Sequence, residues 1–188
     1  MRIISGQLKG KKILEPKDKN TRPLRDLIKE SIFNILKHSN KLSFNLENSN
    51  ILDLFSGIGS FGLEALSRNA EYVTFVENYV EAIKILEKNI KNLDLNNKCK
   101  VIKKNILDNF DFMNLGQKYD LIFLDPPFKN DKMKFILSEI YKSKILKSNG
   151  IIVIHRNIKK EDDFSNELNI LEKKAYGISQ IFFCNFVE

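Results

Sequence analysis

The hydrophobic and polar positions of the first 50 residues predict a small, separate unit. Within 2–14, two short apolar stretches flank a turn at Gly6–Gly10, a pattern that predicts a hairpin. Apolar residues then recur at helical spacing over 24–36, and Pro23 suits the first turn of a helix that starts there. The polar stretch 38–50 is predicted to be a linker to the rest of the chain.

From residue 51 onward, runs of strand-forming residues alternate with stretches of helical periodicity. The predicted strands are 51–55, 72–77, 101–102, 119–124 and 150–155, and the predicted helices are 61–67, 82–93 and 133–145. This alternation predicts an α/β fold with a mostly parallel, doubly wound sheet. Two further strands, 172–176 and 180–187, are separated by a turn too short for a crossover helix, so we expect an antiparallel C-terminal hairpin at the sheet's end.

The composition is that of a globular protein and excludes several classes. Among 188 residues, 43% are hydrophobic and 29% charged, which excludes disordered and fibrous proteins and suits one main domain with a small appendage. No apolar run approaches the roughly 18 residues that span a bilayer, and the charged N-terminus is not expected to be a secretory signal. Cys99 and Cys184 are expected to be free thiols in a reducing cytosol, and their spacing with the two histidines suits no zinc site. We therefore expect a cytoplasmic monomer without a metal ion.

The excess positive charge lies in the first segment. Residues 1–41 contain eleven Lys and Arg against four Asp and Glu, which accounts for the whole net charge of +7, whereas the remaining 147 residues hold 20 of each sign. Such a concentration favours a face that binds a polyanion, because neutralised phosphates release counterions. A solvated basic surface without a ligand is the alternative.

A glycine-rich turn follows the first predicted strand of the sheet. Gly57, Gly59 and Gly62 let the backbone approach a ligand, and Glu77, twenty residues past Gly57, can accept hydrogen bonds from ribose hydroxyls. These glycines also fit the dinucleotide fingerprint, so a nicotinamide or flavin dehydrogenase is a competing interpretation. Asp53 argues against it, because its carboxylate would repel a pyrophosphate but attract a cationic ligand. The chain is also short for a dehydrogenase, which normally needs a second, substrate-binding domain.

S-adenosylmethionine carries ribose hydroxyls, an amine and a sulfonium charge, and so suits both Glu77 and Asp53. The sequence from Asp53 to Gly59, together with Glu77, resembles the first two motifs of the Rossmann-like class I methyltransferases. The resemblance implies that this cofactor binds, and Asn105 falls where that class commonly places an Asp or Asn against the adenine amino group. The cofactor-binding residues implied in this way are Asp53, Phe55, Ser56, Gly57, Gly59, Glu77, Asn78, Asn105 and Ile106.

The most specific motif is Asp125-Pro126-Pro127-Phe128, which follows a buried strand. Two consecutive prolines can continue neither a ladder nor a helix, so they predict a stiff loop at the carboxyl edge of the sheet, where α/β folds bind ligands. The exocyclic amino group of a base is a weak nucleophile, and Asp125 with a proline carbonyl can accept its hydrogens and direct its lone pair at a methyl donor. Phe128 offers a face on which the base can stack. We therefore assign these four residues to catalysis by positioning.

The choice of base is indicated by the first residue of this motif. The motif resembles the [Asn/Asp]-Pro-Pro-[Phe/Tyr] signature of amino-group methyltransferases. Asp125 favours guanine, whose N1–H and N2 amino group match the two oxygens of a carboxylate, whereas adenine offers one donor and one acceptor. An adenine-N6 methyltransferase acting on DNA or RNA is the alternative.

The N-terminal segment indicates which family of amino-group methyltransferases the sequence resembles. The basic hairpin, followed by Thr21-Arg-Pro-Leu-Arg-Asp-Leu-Ile-Lys-Glu-Ser-Ile-Phe-Asn-Ile-Leu, is similar to the bacterial 16S ribosomal RNA guanine-N2 methyltransferases, and the similarity runs in the same order from Arg2 to Val187. It implies methylation of N2 of one guanine in small-subunit ribosomal RNA, as naked RNA or in an assembled subunit. It also implies a basic RNA-binding extension at 1–41 and a methyltransferase domain at 50–188. The RNA-binding residues expected are Arg2, Lys9, Lys11, Lys12, Arg22 and Arg25.

The chain departs from that family at two places. Leu24-Arg25 replaces the small hydroxyl residues usual after the Arg-Pro pair, and His155-Arg156 stands where relatives often carry an acid. We interpret His155 as a satisfied strand-end histidine rather than a catalytic base, while Arg156 could contact a phosphate. A non-enzymatic RNA-binding protein with a vestigial pocket is a further alternative, which the intact cofactor and catalytic motifs disfavour.

Overall fold

The computed structural model describes residues 1–16, 24–108, 110–127, 132–160, 162–164 and 166–187. The helices in this part of the chain are α1 (Asp26–His38), α2 (Ser60–Ser67), α3 (Val80–Asn92) and α4 (Met133–Ser143). The strands are β1 (Asn50–Leu54), β2 (Tyr72–Glu77), β3 (Cys99–Lys103), β4 (Tyr119–Leu124), β5 (Leu146–Asn157), β6 (Leu168–Tyr176) and β7 (Ser179–Phe186). None of the described helices has the length and apolar character needed to cross a membrane.

The seven strands form one mixed sheet in the order β3-β2-β1-β4-β5-β7-β6. β1 to β5 are parallel to one another, and β7 runs antiparallel to both β5 and β6. The predicted α/β fold, with a mostly parallel doubly wound sheet and a C-terminal antiparallel hairpin, is therefore confirmed. The chain order reverses between β1 and β4, whose adjacent carboxyl ends border the crevice in which open α/β sheets bind ligands.

Alternating side chains of the central strands supply two apolar layers. On one face, Ile51 and Phe123 pack in the cluster that includes buried residues of α1, α2 and α3. On the other face, Leu52 and Ile122 pack with buried residues of α4 in a second apolar cluster. The ring of Phe61 on α2 stacks on that of Phe123, with ring centroids 3.9 Å apart. This packing fixes α2, and with it the glycine turn that precedes α2, against the sheet.

The N-terminal segment packs on the same core as the sheet. Ile3 and Ile13 are buried in the first of the two apolar clusters. The predicted hairpin is a turn with one antiparallel bridge, Arg2 to Lys12, rather than a pair of strands. Beyond Ile3, the next amides of the segment donate to the carboxylate of Glu64 on α2 instead of to the facing stretch.

The stretch predicted to be a polar linker also packs on the core, which corrects that prediction. Leu42 is buried, and Phe44 and Leu46 are partly buried against the first apolar cluster. These apolar residues alternate with polar ones, a pattern that indicates one buried side and that the high polarity of the stretch as a whole made easy to overlook. The division into a basic extension at 1–41 and a methyltransferase domain at 50–188 stays a prediction.

Several element boundaries differ from those predicted. α4 ends at Ser143 because Lys144 takes the left-handed conformation, with φ of 51°. β5 begins at Leu146, earlier than predicted, since Leu146 pairs with Tyr119 of β4 before the register shifts and pairing resumes at Ile151. α1 begins at Asp26, and Pro23, the predicted start, lies outside the described residues.

Candidate active site

Three acidic side chains meet at the carboxyl edge of the sheet. Asp53 lies in β1, Glu77 ends β2, and Asp125 follows β4. These strands are adjacent and parallel, and the backbone N–H of Asp125 donates to the carbonyl of Leu54 at 3.4 Å. The negative charges of Asp125 and Glu77 both act on Asp53. The topology thus brings together acidic residues from three separate sequence motifs.

Several residues of the tight turn between β1 and α2 adopt the left-handed backbone conformation. Phe55, Gly57 and Gly59 have φ of 60°, 55° and 83°, a region that glycine enters at little cost. Gly59 donates its N–H to the carbonyl of Ser56 at 2.8 Å, which closes the turn just before α2 starts. Gly62 serves packing, since a Cβ there would lie 2.3 Å from the ring of Phe75. The glycine pattern therefore builds a sharp turn with close helix-to-strand contact.

Asp53 is buried and only half satisfied. Its Oδ2 accepts the N–H of Gly62 at 3.0 Å, whereas Oδ1 has no hydrogen-bond partner among the described residues. Burial raises the pKa of Asp53 well above its ordinary value, the bond from Gly62 opposes that rise, and the charges of Asp125 and Glu77 add to it. A buried acceptor without a partner is costly, so the site fits a ligand that brings a cationic or N–H group to Oδ1.

Glu77 holds the glycine turn through backbone amides. Its Oε2 accepts the N–H of Gly57 at 2.7 Å, and its Oε1 accepts those of Asn78 and Tyr79 at 2.8 and 2.9 Å. A carboxylate has about four lone-pair sites, so these three bonds leave room for about one more donor. The predicted ribose contact of Glu77 stays a prediction, and Asn78 next to it is exposed.

The other predicted cofactor residues border the same crevice or a nearby turn. The hydroxyl of Ser56 is buried with no hydrogen-bond partner among the described residues, and Phe55 is half-buried. Asn105 uses its amide locally, since its Oδ1 accepts from Leu107 at 3.1 Å and its Nδ2 donates to Asp108 at 2.8 Å. Ile106 is buried in the second apolar cluster. The adenine contact predicted for Asn105 stays a prediction.

The motif that starts at Asp125 begins with a carboxylate that is held on one side. Oδ1 of Asp125 lies 2.8 Å from Nδ1 of His155, while Oδ2 has no hydrogen-bond partner among the described residues. The Asp125 side chain is 20% exposed. Pro126 is buried and Pro127 exposed, and Phe128 lies outside the described residues. Oδ2 is therefore available as an acceptor at the crevice, and Oδ1 keeps lone-pair capacity beside its contact with His155.

His155 has a contact that the sequence pattern did not reveal. Both ring nitrogens are engaged, Nδ1 with Asp125 and Nε2 with the hydroxyl of Ser179 at 2.9 Å. The histidine is satisfied, as expected, although β5 continues past it to Asn157, and one of its partners is the first residue of the Asp-Pro-Pro motif. Its role relative to a catalytic base stays a prediction. Leu124 pairs with Ile154 in the parallel register of β4 and β5, so the residues that follow them, Asp125 and His155, come side by side. An accurate alignment of the two strand ends is the signal that could have revealed this contact.

Arg156 does not have the phosphate contact considered for it. The residue is fully buried, and its Nε and one terminal nitrogen both lie 2.6 Å from the carboxylate of Asp162. Such a two-point pair joins the end of β5 to the loop that follows. A buried guanidinium in this pair is not available to RNA.

The basic residues predicted to bind RNA are mostly at the surface. The exposed ones are Arg2, Lys9, Lys11, Lys12 and Arg25, and Arg22 lies outside the described residues. Lys29 belongs to the same basic segment but is fully buried, with its Nζ 3.7 Å from Glu64. The charge count of the segment therefore overstates the positive charge that a polyanion can reach.

Within the described residues, no group of three or more His, Cys, Asp and Glu is placed to hold a metal ion.

Comparison with known proteins identifies the family. Residues 1–185 match the family described as conserved hypothetical protein 95. The ribosomal RNA small subunit methyltransferase D of Buchnera aphidicola subsp. Acyrthosiphon pisum is 34% identical over 180 residues, which cover 96% of this chain and 90% of that protein. The candidate rRNA methyltransferase YlbH of Bacillus subtilis is 33% identical over 186 residues, 96% of each chain.

A solved structure agrees with this comparison. The crystal structure of a candidate methylase from Haemophilus influenzae is 30% identical and superposes with a TM-score of 0.76, covering 100% of this chain and 98% of that one. The family resemblance inferred from the sequence motifs is confirmed. The chain therefore belongs to the conserved hypothetical protein 95 family, together with the bacterial ribosomal RNA small subunit methyltransferases D.

Proposed function

We propose that this protein transfers a methyl group from S-adenosylmethionine to the exocyclic N2 of a guanine in 16S ribosomal RNA. The name of the Buchnera relative, a ribosomal RNA small subunit methyltransferase, supports the substrate class. The observation that carries the proposal is Asp125, whose Oδ2 has no partner among the described residues and whose charge acts on the half-satisfied Asp53. This arrangement supports the proposal, because an acceptor for amino hydrogens would then lie beside the site assigned to a cationic cofactor.

Cofactor binding is assigned to the β1 side of the crevice, where the ends of β1 and β2 lie next to each other. Oδ1 of Asp53 and Oγ of Ser56 are buried without partners among the described residues, so they fit the cationic and hydrogen-bonding groups of S-adenosylmethionine. When bound, this cofactor would supply an electrophilic methyl carbon, whose bond to sulfur would be exchanged for one to the acceptor nitrogen. The nitrogen would then lose a proton. Glu77 is assigned to a ribose hydroxyl. The other residues assigned to the cofactor are Phe55, Gly57, Gly59, Asn78, Asn105 and Ile106.

Catalysis is assigned to positioning of the base. Asp125 and a proline carbonyl of 126–127 accept hydrogens of the amino group, which turns the nitrogen lone pair away from the protein and toward the methyl donor. The negative charge of Asp125 also stabilises the positive charge that develops on the nitrogen. Phe128, outside the described residues, is assigned to stacking with the base.

Guanine is favoured over adenine by the acceptors that Asp125 retains. The contact with His155 uses about one of the four lone-pair sites of the carboxylate, so both oxygens keep capacity for a donor. The N1–H and N2 amino group of guanine supply two adjacent donors, whereas adenine would leave a ring acceptor facing a carboxylate. Adenine-N6 methylation of DNA or RNA is the second candidate, since an amino group on either base satisfies Oδ2.

RNA binding is assigned to the exposed cations of the N-terminal segment. Arg2, Lys9, Lys11 and Lys12 are exposed on the turn that docks on α2, and Arg25 is exposed just before α1. Their contacts would be with phosphates and would carry affinity rather than sequence specificity. The proposed partner is ribosomal RNA or the assembled small subunit in the cytoplasm, bound by a monomer.

Mass spectrometry of nucleosides from ribosomal RNA tests the reaction. Ribosomal RNA from cells that lack the gene should miss one N2-methylguanosine, and incubation with the purified protein and labelled S-adenosylmethionine should restore it. The appearance of N6-methyladenosine instead would support the second candidate. Tight RNA binding without any labelled methyl transfer, to naked RNA or to assembled small subunits, would contradict both enzymatic assignments. Calorimetric titration should show binding of S-adenosylmethionine, whereas binding of a nicotinamide dinucleotide alone would restore the dehydrogenase interpretation.

A further inference from the structure

His155 connects the catalytic carboxylate to a second strand. Its Nδ1 lies 2.8 Å from Oδ1 of Asp125, and its Nε2 lies 2.9 Å from Oγ of Ser179. His155 is 7% exposed and Ser179 8% exposed, so the imidazole and the hydroxyl are both shielded from solvent. The three polar groups form a chain that runs from the crevice into the sheet.

The sheet fixes both ends of this chain. His155 lies in β5, which pairs with β4 on one side and with β7 on the other, and Asp125 is the first residue after β4. Ser179 is the first residue of β7 and pairs with Asn157 of β5. An imidazole between two strands of a continuous sheet has little freedom to move, so it can serve as a fixed support for Asp125.

The chemistry of the three groups sets where the protons lie. An ionised carboxylate only accepts hydrogen bonds, so the contact with Asp125 requires a proton on Nδ1 of His155. A serine hydroxyl can donate, and so it can satisfy Nε2 as an acceptor and hold the imidazole in the tautomer with hydrogen on Nδ1. Because Ser179 is buried at the start of a strand, we assign its hydroxyl to holding the imidazole and not to attack on a substrate.

We propose that His155 is a positioning residue for methyl transfer: its Nδ1–H holds Oδ1 of Asp125 so that Oδ2 faces the amino group of the base. The role rests on the proposed function of Asp125. Asp125 carries negative charge that acts on Asp53, and the two carboxylates repel each other when both are ionised. The bond from His155 keeps Asp125 from rotating away under this repulsion. A carboxylate free to rotate would present the base in many orientations, of which few lead to reaction.

Two substitutions of His155 separate this role from a merely structural one. In His155→Asn the side-chain amide can take the place of Nδ1 and still donate to Asp125, whereas in His155→Gln it reaches the place of Nε2 and keeps only the contact with Ser179. We expect His155→Gln to lower the single-turnover rate of methyl transfer by about 10- to 100-fold, with the dissociation constants for S-adenosylmethionine and RNA within about threefold of the unmodified protein. We expect His155→Asn to keep the rate within about threefold.

Other results with the two variants would overturn the proposal. An unchanged rate in His155→Gln would show that Asp125 needs no support from His155. Equal losses of rate in both variants, or a loss of cofactor affinity as large as the loss of rate, would assign His155 to general stability of the site.

Nuclear magnetic resonance of the histidine nitrogens tests the contact without any activity. The chain has two histidines, and exposed His38 at the end of α1 serves as an internal control for His155. We expect Nδ1 of His155 to carry a proton, and Asp125→Asn to shift the signals of His155 but not those of His38. A bare Nδ1, or a spectrum of His155 that Asp125→Asn leaves unchanged, would overturn the proposal. If these signals are as expected but no RNA is methylated, the proposed function fails while the contact stands.

Discussion

The carboxylate of Glu64 on α2 and the ammonium of Lys29 on α1 lie 3.7 Å apart, with both side chains fully buried. The same carboxylate accepts the backbone N–H groups of Ile4 and Ser5 at 2.8 and 3.0 Å. Glu64 therefore fixes the basic N-terminal turn to α2, the helix that starts beside the crevice proposed to bind the cofactor. This contact is the structural link between the surface proposed to bind RNA and the site proposed for methyl transfer.

Removal of Glu64 should destabilise the protein strongly. Glu64→Ala leaves the buried ammonium of Lys29 without its buried partner and two amides without an acceptor, so we expect the free energy of unfolding to fall by about 3–5 kcal/mol. Urea unfolding followed by circular dichroism measures this change in the free energy of unfolding. Glu30→Ala, which removes an exposed carboxylate from α1, should change stability by less than about 0.5 kcal/mol. Equal stability of the two variants would contradict the role assigned to Glu64.

Substitution of Asp125 should separate catalysis from cofactor binding. Asp125→Asn puts an NH2 group where guanine presents donors, and Asp125→Ala removes the acceptors altogether. We expect both to lower methyl transfer to unmethylated 16S ribosomal RNA by about 100-fold or more, because a positioned acceptor for the developing charge is lost. The dissociation constant for S-adenosylmethionine, measured by calorimetry, should stay within about threefold.

A matched control distinguishes this effect from loss of charge in general. Asp94 is exposed after α3 and has φ of 56°, a conformation that asparagine also adopts. Asp94→Asn should therefore keep the rate of methyl transfer. A normal rate in Asp125→Asn and Asp125→Ala would refute the catalytic assignment.

The sequence predicted the parts of the site that lie at strand ends. Glu77 and Asp125 each come at the end of an apolar run, Asp53 lies within one just before the glycine turn, and parallel strands bring such ends to one edge. The contact of His155 with Asp125 depends instead on the register of β4 and β5, which apolar periodicity does not fix. The burial of Lys29 likewise depends on Glu64, a residue far away in the chain, and a count of charges treats both as surface residues.

The raised pKa of Asp53 should make cofactor binding release a proton. Burial raises the pKa of Asp53 in the folded protein, and a cationic group at Oδ1 would favour the ionised form. We expect affinity for S-adenosylmethionine to increase as the pH rises through the raised pKa, with uptake of a proton by the buffer. Calorimetry in two buffers of different ionisation enthalpy measures the number of protons released on binding. Asp53→Asn should abolish the proton release, and release that persists in this variant would assign it to another group.

The same pKa predicts the pH dependence of stability. In the unfolded chain Asp53 loses its proton near the ordinary pKa of an aspartate, whereas in the folded protein it keeps the proton to higher pH. Between these two values the folded form binds more protons, so the free energy of unfolding falls as the pH rises. Urea unfolding of the cofactor-free protein at several pH values measures this fall in the free energy of unfolding. Asp53→Asn should remove the part of the fall that comes from Asp53. A decline of unchanged size in the variant would show that the pKa of Asp53 is not raised.

Neutralisation of the N-terminal turn should weaken RNA binding without loss of cofactor affinity. The triple substitution of Lys9, Lys11 and Lys12 by Gln removes three exposed charges, so we expect the slope of log K against log salt concentration to fall by about 2–3. Filter binding to 16S ribosomal RNA over a range of salt measures this slope. A control triple on α3, Lys84, Lys88 and Lys91 to Gln, also removes exposed charges and should leave the slope unchanged. If both triples reduce the slope equally, net charge rather than the N-terminal turn attracts the RNA.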